Sequence, residues 1–298
     1  VVGLPIAKKS VSGLLSMRRF LSSHLFDVVN THSSTDSWLV TLASRTLRSR
    51  PAIVRTRHIS AMLRQTIPTR WLYRSAGHVV TTGERLRGQV MESLGLPAEQ
   101  VTSVPTGVDL ARFSPGDAKS ARSSLGLPMD AFVVGIVATL RSWKGHRYLI
   151  DAFARLDIPE ARLVIVGGGP GEDNIRGQIE ALGLTERTTL AGNQKDVVPW
   201  LRSMNVFALP SYANEGIPQA IMQAQACGVP VVSTDVGAIG EIITHGLTGW
   251  MVKPRDSVAL SEGIAHLYAN AGLRGELAEN ALSQARERFS TDIMLSRM

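Results

Sequence analysis

The stretch from residue 206 to residue 233 admits few folds. Val-Phe-Ala-Leu (206–209) is a short apolar run, the mark of a strand covered on both faces. A Pro-Ser turn leads to Glu215-Gly-Ile-Pro-Gln-Ala-Ile-Met-Gln223-Ala-Gln-Ala-Cys-Gly228, which predicts a helix over 217–227. Pro218 falls in the first turn, where a missing N–H costs least, and Gly228 supplies a left-handed stop. Val-Pro-Val-Val-Ser (229–233) then reads as a second covered strand. Strands joined through a helix run parallel, because the helix carries the chain back to the end of the sheet where it began.

The same block places chemistry. Glu215 lies after a strand and beside a helix start, next to main-chain N–H groups that lack an intrahelical acceptor and favour anions. Such a corner holds a phosphate on backbone amides while the carboxylate grips neutral hydroxyls, the two halves of a sugar nucleotide.

Alternation of this kind extends along most of the chain. Short strands are expected at 26–31, 52–56, 78–81 and 101–104, separated by helices at 34–48, 68–75 and 83–94. A second series restarts with strands at 131–137, 162–166, 188–190, 206–209 and 229–233. Helices at 146–155, 171–182, 195–203, 217–227, 256–270 and 273–288 fill its gaps. Turn residues between 105 and 116 suit a connection between two domains.

Two further turns after strands carry candidate residues. Arg141-Ser-Trp-Lys144-Gly145 sets two cations before a helix start near His146, a place suited to a diphosphate: arginine binds its oxygens as a fork, lysine as a compact charge. Val166-Gly-Gly-Gly-Pro-Gly171 is rich in glycine but lacks the spacing of a dinucleotide fingerprint.

Composition narrows the rest. A chain of 298 residues with 44% hydrophobic and 19% charged residues is long and apolar enough for two cored domains. The single cysteine, Cys227, excludes an internal disulfide and points to a reducing compartment. No apolar run approaches the ~18 residues of a membrane span, and the N-terminus lacks the order of a signal peptide. Residues 1–116 hold 15 Lys+Arg against 6 Asp+Glu, whereas residues 117–298 hold 17 against 19. The basic half suits an anionic acceptor or an anionic lipid surface, or is arginine-rich without a target. Nucleic acid is not expected, since the arginines are scattered and no aromatics interleave with them. Metal-ligand spacing and a Gly-x-Ser-x-Gly elbow are both missing from the sequence.

These residues also carry a resemblance. Glu215-Gly-x-Pro218, the helix after it, Ala-Cys-Gly-Val-Pro-Val (226–231) and Gly237-Ala-Ile-Gly-Glu241 resemble the donor site of retaining glycosyltransferases of family 4. Lys144-Gly145 resembles that family's phosphate loop. Gly-Val-Asp (107–109) with Phe113-Ser-Pro115 resembles its linker. The resemblance implies an α/β protein of GT-B type: two Rossmann-like, doubly wound parallel-sheet domains facing across a cleft. Residues 1–116, with the linker 105–116, would be the acceptor-side domain and 117–298 the nucleotide-sugar domain. The family's opening strand and Gly-rich turn find no match, so the first domain is expected to be incomplete, and the chain to stop inside a helix.

Roles follow from the resemblance residue by residue. Glu215 would bond hydroxyls of the donor sugar, in a loop shared with Gly216 and Ile217. The N–H groups of Gln219 and Ala220 would meet the distal phosphate. Arg141 and Lys144 would neutralise the diphosphate, Gly169 would wall the pocket, and Gln194 would sit at the turn that faces the base. The family has a second glutamate where this chain has Gln223. Glutamine keeps an acceptor for ribose but loses a charge-assisted bond, about 1 kcal/mol. Thr139 stands where the family has arginine. His58 would bond the sugar or the leaving phosphate and, with Glu215, serve catalysis; His32 and Arg57 would lie on the acceptor side, and Asp36 is a further candidate beside them.

The implied reaction moves a sugar from a nucleotide-diphosphate sugar to an acceptor hydroxyl with retention, without metal or other cofactor. The departing diphosphate would help deprotonate the acceptor. Partners would be the nucleotide sugar, a glycan or glycolipid acceptor, and an anionic membrane surface. The place would be the cytoplasm, at the inner face of the membrane, in cell-surface polysaccharide or lipopolysaccharide-type synthesis. An epimerase or phosphorylase on the same scaffold, or a nucleotide-sugar-binding module without turnover, remain alternatives.

Overall fold

The chain forms two compact units, Val1–Pro105 and Thr106–Met298. The computed structural model describes residues 2–58 and 63–298. The first unit comprises α1 (Val11–Ser23), β1 (Val28–Thr31), α2 (Ser34–Ser44), β2 (Ala52–Arg57), α3 (Ile67–Arg74), β3 (His78–Thr81), α4 (Glu84–Leu94) and β4 (Val101–Ser103). Its four strands are parallel and lie in chain order, β1-β2-β3-β4. Right-handed crossovers in one direction set α2, α3 and α4 on one face of this sheet. Ile53, Val79 and Val101 on that face pack with Leu39, Tyr73, Leu86 and Val90. The sequence does not foresee α1, because Gly13 and its serines weaken helix propensity; burial of Met17 and Leu21 compensates.

The second unit comprises α5 (Ala118–Ser124), β5 (Phe132–Val137), α6 (His146–Ala154), β6 (Ala161–Val166), α7 (Glu172–Ala181), β7 (Thr188–Gly192), α8 (Val198–Ser203) and β8 (Val206–Leu209). It continues with α9 (Gln219–Ala226), β9 (Val231–Thr234), β10 (Trp250–Val252), α10 (Ser257–Ala269), α11 (Ala271–Arg288) and α12 (Thr291–Ser296). All six strands are parallel, in the order β10-β9-β8-β5-β6-β7. The chain builds outward from β5 to β7, then returns to the other side of β5 with β8. That reversal is a topological switch point, where helices leave on opposite faces and a crevice opens beyond the strand ends. Strands β5, β6, β8 and β9 are buried almost throughout, as their continuous apolar runs require. Helix α9 starts at Gln219, two residues later than expected, because Pro218 is its extended N-cap.

Residues 106–116 belong to the second unit, so the division falls at 105/106 and not at 116. The Val108 N–H donates to the Phe289 carbonyl at 2.7 Å, and the Thr291 N–H donates to the Val108 carbonyl at 3.1 Å. Val108 and Phe113 are buried in the second core, and Arg202 bonds the carbonyl and hydroxyl of Ser114. A Cβ on Gly107 would lie 2.6 Å from Cα and 3.0 Å from N of Thr291, which are main-chain atoms that cannot yield cheaply. Gly107→Ala is therefore expected to destabilise the second unit by about 1–3 kcal/mol. In urea unfolding its midpoint should drop, while Gly272→Ala, a helix position with nothing within 4 Å, should hold or raise it.

Candidate active site

The loops after β5 and β8 meet at the switch point. Lys144 ends the first loop, and Gly145 follows with φ +79°. A Cβ at Gly145 would stand 2.0 Å from the Pro210 carbonyl oxygen, so only glycine lets the loops touch. The Tyr212 N–H donates to the Trp143 carbonyl at 2.9 Å and fastens them. Lys144 Nζ thereby reaches both carboxylate oxygens of Glu215, at 2.7 and 3.0 Å. Ser211 Oγ donates to Glu215 Oε1 at 2.5 Å. The Glu215 side chain is 4% exposed and that of Lys144 20%. Behind the carboxylate, Gly237 (φ +64°) allows a close approach that a Cβ, 2.0 Å from the Glu215 carbonyl oxygen, would forbid. Just before it, Asn214 is left-handed at φ +58°, a conformation that asparagine tolerates and branched residues resist.

Beyond Gly216 and Ile217 the chain enters α9, whose first-turn N–H groups, at Gln219 and Ala220, have no intrahelical acceptor. The Gln219 side chain turns away and donates to the Thr106 carbonyl at 3.2 Å. Gln223, one turn in, is half-buried. Helix and ion pair therefore present peptide donors, an ammonium and a carboxylate at one corner. Phosphate and hydroxyls are the groups such a corner can hold.

Arg141 does not join the ion pair. Its guanidinium carbon lies 5.1 Å from the centre of the Trp143 ring, and it lines a cavity of about 420 Å³ with Ser142, His146, Arg147, Asn174 and Gln178. His146 is buried, and burial, then the Lys144 charge, push it down to about 4; a hydrogen bond to the Arg141 main chain pulls the other way. The glycine-rich turn packs on the same loop: the Leu140 N–H donates to the Gly168 carbonyl at 3.1 Å and the Gly171 N–H to the Leu140 carbonyl at 2.9 Å. Gly169 backs directly on Leu140. Gln194 closes its own turn by donating to the Ala191 carbonyl at 2.5 Å. Cys227 is buried, which pushes its thiol up to about 11 and suits an inert packing residue.

In the first unit, His32 and His58 follow β1 and β2 and meet: His32 Nδ1 and His58 Nε2 are 2.9 Å apart, with the rings nearly parallel. Loss of solvent around the ring, then the neighbouring His32, hold His58 below the ordinary histidine range. Asp36 is a cap, its carboxylate accepting from the N–H groups of Ser33 and Ser37 and from that of His32. Arg57 directs Nη1 to the Tyr73 hydroxyl at 3.2 Å, toward α3.

Residues 117–284 match the family model described as glycosyl transferases group 1, and residues 2–112 match the one described as glycosyltransferase family 4. The chain belongs to the group 1 glycosyltransferases. D-inositol 3-phosphate glycosyltransferase of Mycobacterium tuberculosis is 32% identical over 230 residues, covering 73% of this chain and 47% of the relative. The chain thus spans about half the length of the curated relatives it matches. A glycosyltransferase from Rickettsia africae superposes with a TM-score of 0.88 at 20% identity, over 99% of this chain and 82% of that one. Anabaena HepE in complex with UDP and glucose gives 0.85 at 24% identity, over 96% and 79%. These likenesses establish the fold class, two parallel-sheet α/β domains of GT-B type.

The second unit brings Lys144, Glu215 and the start of α9 together, and the first pairs His32 with His58. Arg141 instead rests its guanidinium against the Trp143 ring. Sequence reading missed Ser211 and His146. Ser211 gave a signal in its Pro-Ser turn after a strand, whereas a histidine at a helix start carries none that reports burial.

Removing one partner of the ion pair should cost more than removing both. Lys144→Met leaves a buried carboxylate with Ser211 alone, an expected loss of about 2–4 kcal/mol. The double variant Lys144→Met/Glu215→Leu should recover most of this in urea unfolding. His146 sets a pH dependence as well. Its unfolded-state value is 6.5 and its folded value about 4, so the unfolded chain binds the proton first as pH falls. Stability from this group is intact above pH 6.5 and declines toward pH 4, by about 3 kcal/mol. His146→Gln should flatten that part of the profile.

Proposed function

We propose that this chain transfers a sugar, with retention of configuration, from a nucleotide-diphosphate sugar to an acceptor hydroxyl. The observation that carries the reading is the Lys144–Glu215 pair at the switch point, beside the free amides of α9. Glu215, held by Lys144 and Ser211, works as a fixed acceptor for hydroxyls of the donor sugar. Lys144 stands between this carboxylate and the diphosphate, whose charge grows as the sugar–oxygen bond breaks. A cation already in place there stabilises the transition state without reorganising. The N–H groups of Gln219 and Ala220 hold the distal phosphate, and Gln223 accepts from ribose. Gly169 and Gln194 stand at the turns that would face the nucleotide, and Arg141 adds a more distant cation. The leaving diphosphate takes the acceptor proton, so the reading calls for no metal and no protein nucleophile. His58, with His32 and Arg57 nearby, handles hydroxyls on the acceptor side.

The basic first unit, and a relative named for an inositol phosphate, support an anionic acceptor. A phosphorylated glycan or a glycolipid at the inner face of the cytoplasmic membrane, as in lipopolysaccharide-type synthesis, fits that charge. No helix among the described residues is long and apolar enough to cross a membrane. Gln223, in place of a charged partner for ribose, favours a second reading: binding without turnover.

A thermal-shift panel of UDP-, GDP- and ADP-sugars tests the donor site. One class should raise the melting temperature, since ligand at 100 times Kd contributes about 2.7 kcal/mol. Lys144→Ala and Glu215→Ala should abolish the rise. A panel in which no sugar nucleotide shifts the protein refutes the proposal. Turnover that appears only in Gln223→Glu decides for the second reading.

A further inference from the structure

His32 and His58 form more than a chance contact, because a cross-strand hydrogen bond and a pinned main chain hold the two residues side by side. One step before them, Thr56 Oγ1 donates to Asn30 Oδ1 at 2.9 Å, locking the end of β2 to the end of β1. Side chains on one face of a strand recur every second residue, so His32 and His58 continue the Asn30–Thr56 row. The His32 main chain is itself pinned. Its N–H donates to Asp36 Oδ2 at 2.9 Å, and Asp36 closes the capping box with Ser33 that starts α2. Both residues keep exposed surface, although the His58 ring is partly shielded.

We propose that His32 is a positioning residue for His58, committing its Nε2 and leaving Nδ1 as the nitrogen that meets a substrate hydroxyl. A 2.9 Å contact between ring nitrogens requires one proton between them. When His58 Nε2–H donates to His32, His58 Nδ1 is a lone pair and accepts from a hydroxyl. When His32 Nδ1–H donates instead, His58 Nδ1 carries a proton and donates to a hydroxyl oxygen. Passing from the first arrangement to the second moves the shared proton to His32 Nδ1, releases the His32 Nε2 proton to solvent and takes one from solvent at His58 Nδ1. Both rings stay neutral, and His58 changes its hydrogen-bonding sense without a change of charge. A neutral hydroxyl, on the sugar or its acceptor, is the group this serves. A lone exposed imidazole would rotate freely and divide its population between orientations. This inference rests on the proposed role of His58 with hydroxyls; the pairing itself does not.

Nitrogen-15 NMR of the histidine rings and steady-state kinetics together test it on the full chain. In the wild type at pH 7.5, His58 Nε2 should be displaced from the shift of a solvent-exposed histidine, and His32→Leu should return it. His32→Asn, whose amide stands where Nδ1 stood, should keep most of the displacement. Kinetics would follow nucleotide release from UDP-, GDP- and ADP-glucose. His32→Leu should lower kcat about tenfold with the donor KM within twofold, and His32→Asn should stay within threefold of wild type. An unshifted Nε2 in the wild type overturns the pairing. Equal kcat losses in His32→Asn and His32→Leu overturn the positioning role. If the displacement is present but His58→Ala turns over as fast as wild type, the assignment of His58 to hydroxyls falls, and the positioning role falls with it.

Discussion

The second unit depends on one buried ion pair placed where its sheet reverses. Lys144 and Glu215 come from strands that are neighbours only because the chain returns to β5 after building β6 and β7. Burying a carboxylate costs several kcal/mol unless a cation and further donors meet it, and here an ammonium and a serine hydroxyl do so. The pair also keeps an ammonium and a carboxylate beside the start of α9. The cost of desolvating them is met when the protein folds, before any ligand arrives.

Close backbone contact makes that placement possible. Gly145 against Pro210 and Gly237 against the Glu215 carbonyl leave no room for a Cβ at either side of the carboxylate. These glycines set the distance between loops and so the length of the Lys144–Glu215 bond. The first unit solves a simpler problem. Its strands follow chain order without a switch point, and its polar groups collect at the ends of β1 and β2, where Asp36, Asn30 and Thr56 fix two histidines.

Much of the fold was legible because buried parallel strands are continuous apolar runs, and glycine or proline marks the helix ends. Elements with few residues to show a period were not: β10 has three residues, and α5 and α12 have seven and six. The linker looked like a boundary from its turn residues, yet Val108 and Phe113 draw it into the second core. Glu215, Lys144 and the start of α9 were each visible as motifs. Their ion pair was not, since 71 residues separate the partners and nothing local says that β5 and β8 are adjacent. The same holds for His32 and His58, 26 residues apart. Arg141 and Lys144 looked equivalent in a loop motif, but it is Lys144 that bonds Glu215, while the Arg141 guanidinium lies against the Trp143 ring.

The sequence alone determined the class of fold, the family and the residue types at the donor corner, because periodicity, punctuation and short motifs are local properties. Tertiary structure decided which charges neutralise one another, which nitrogen of His58 meets His32 and which histidine is buried. Those outcomes depend on distances of about 3 Å between residues remote in the chain, and strand order and backbone approach alone fix such distances.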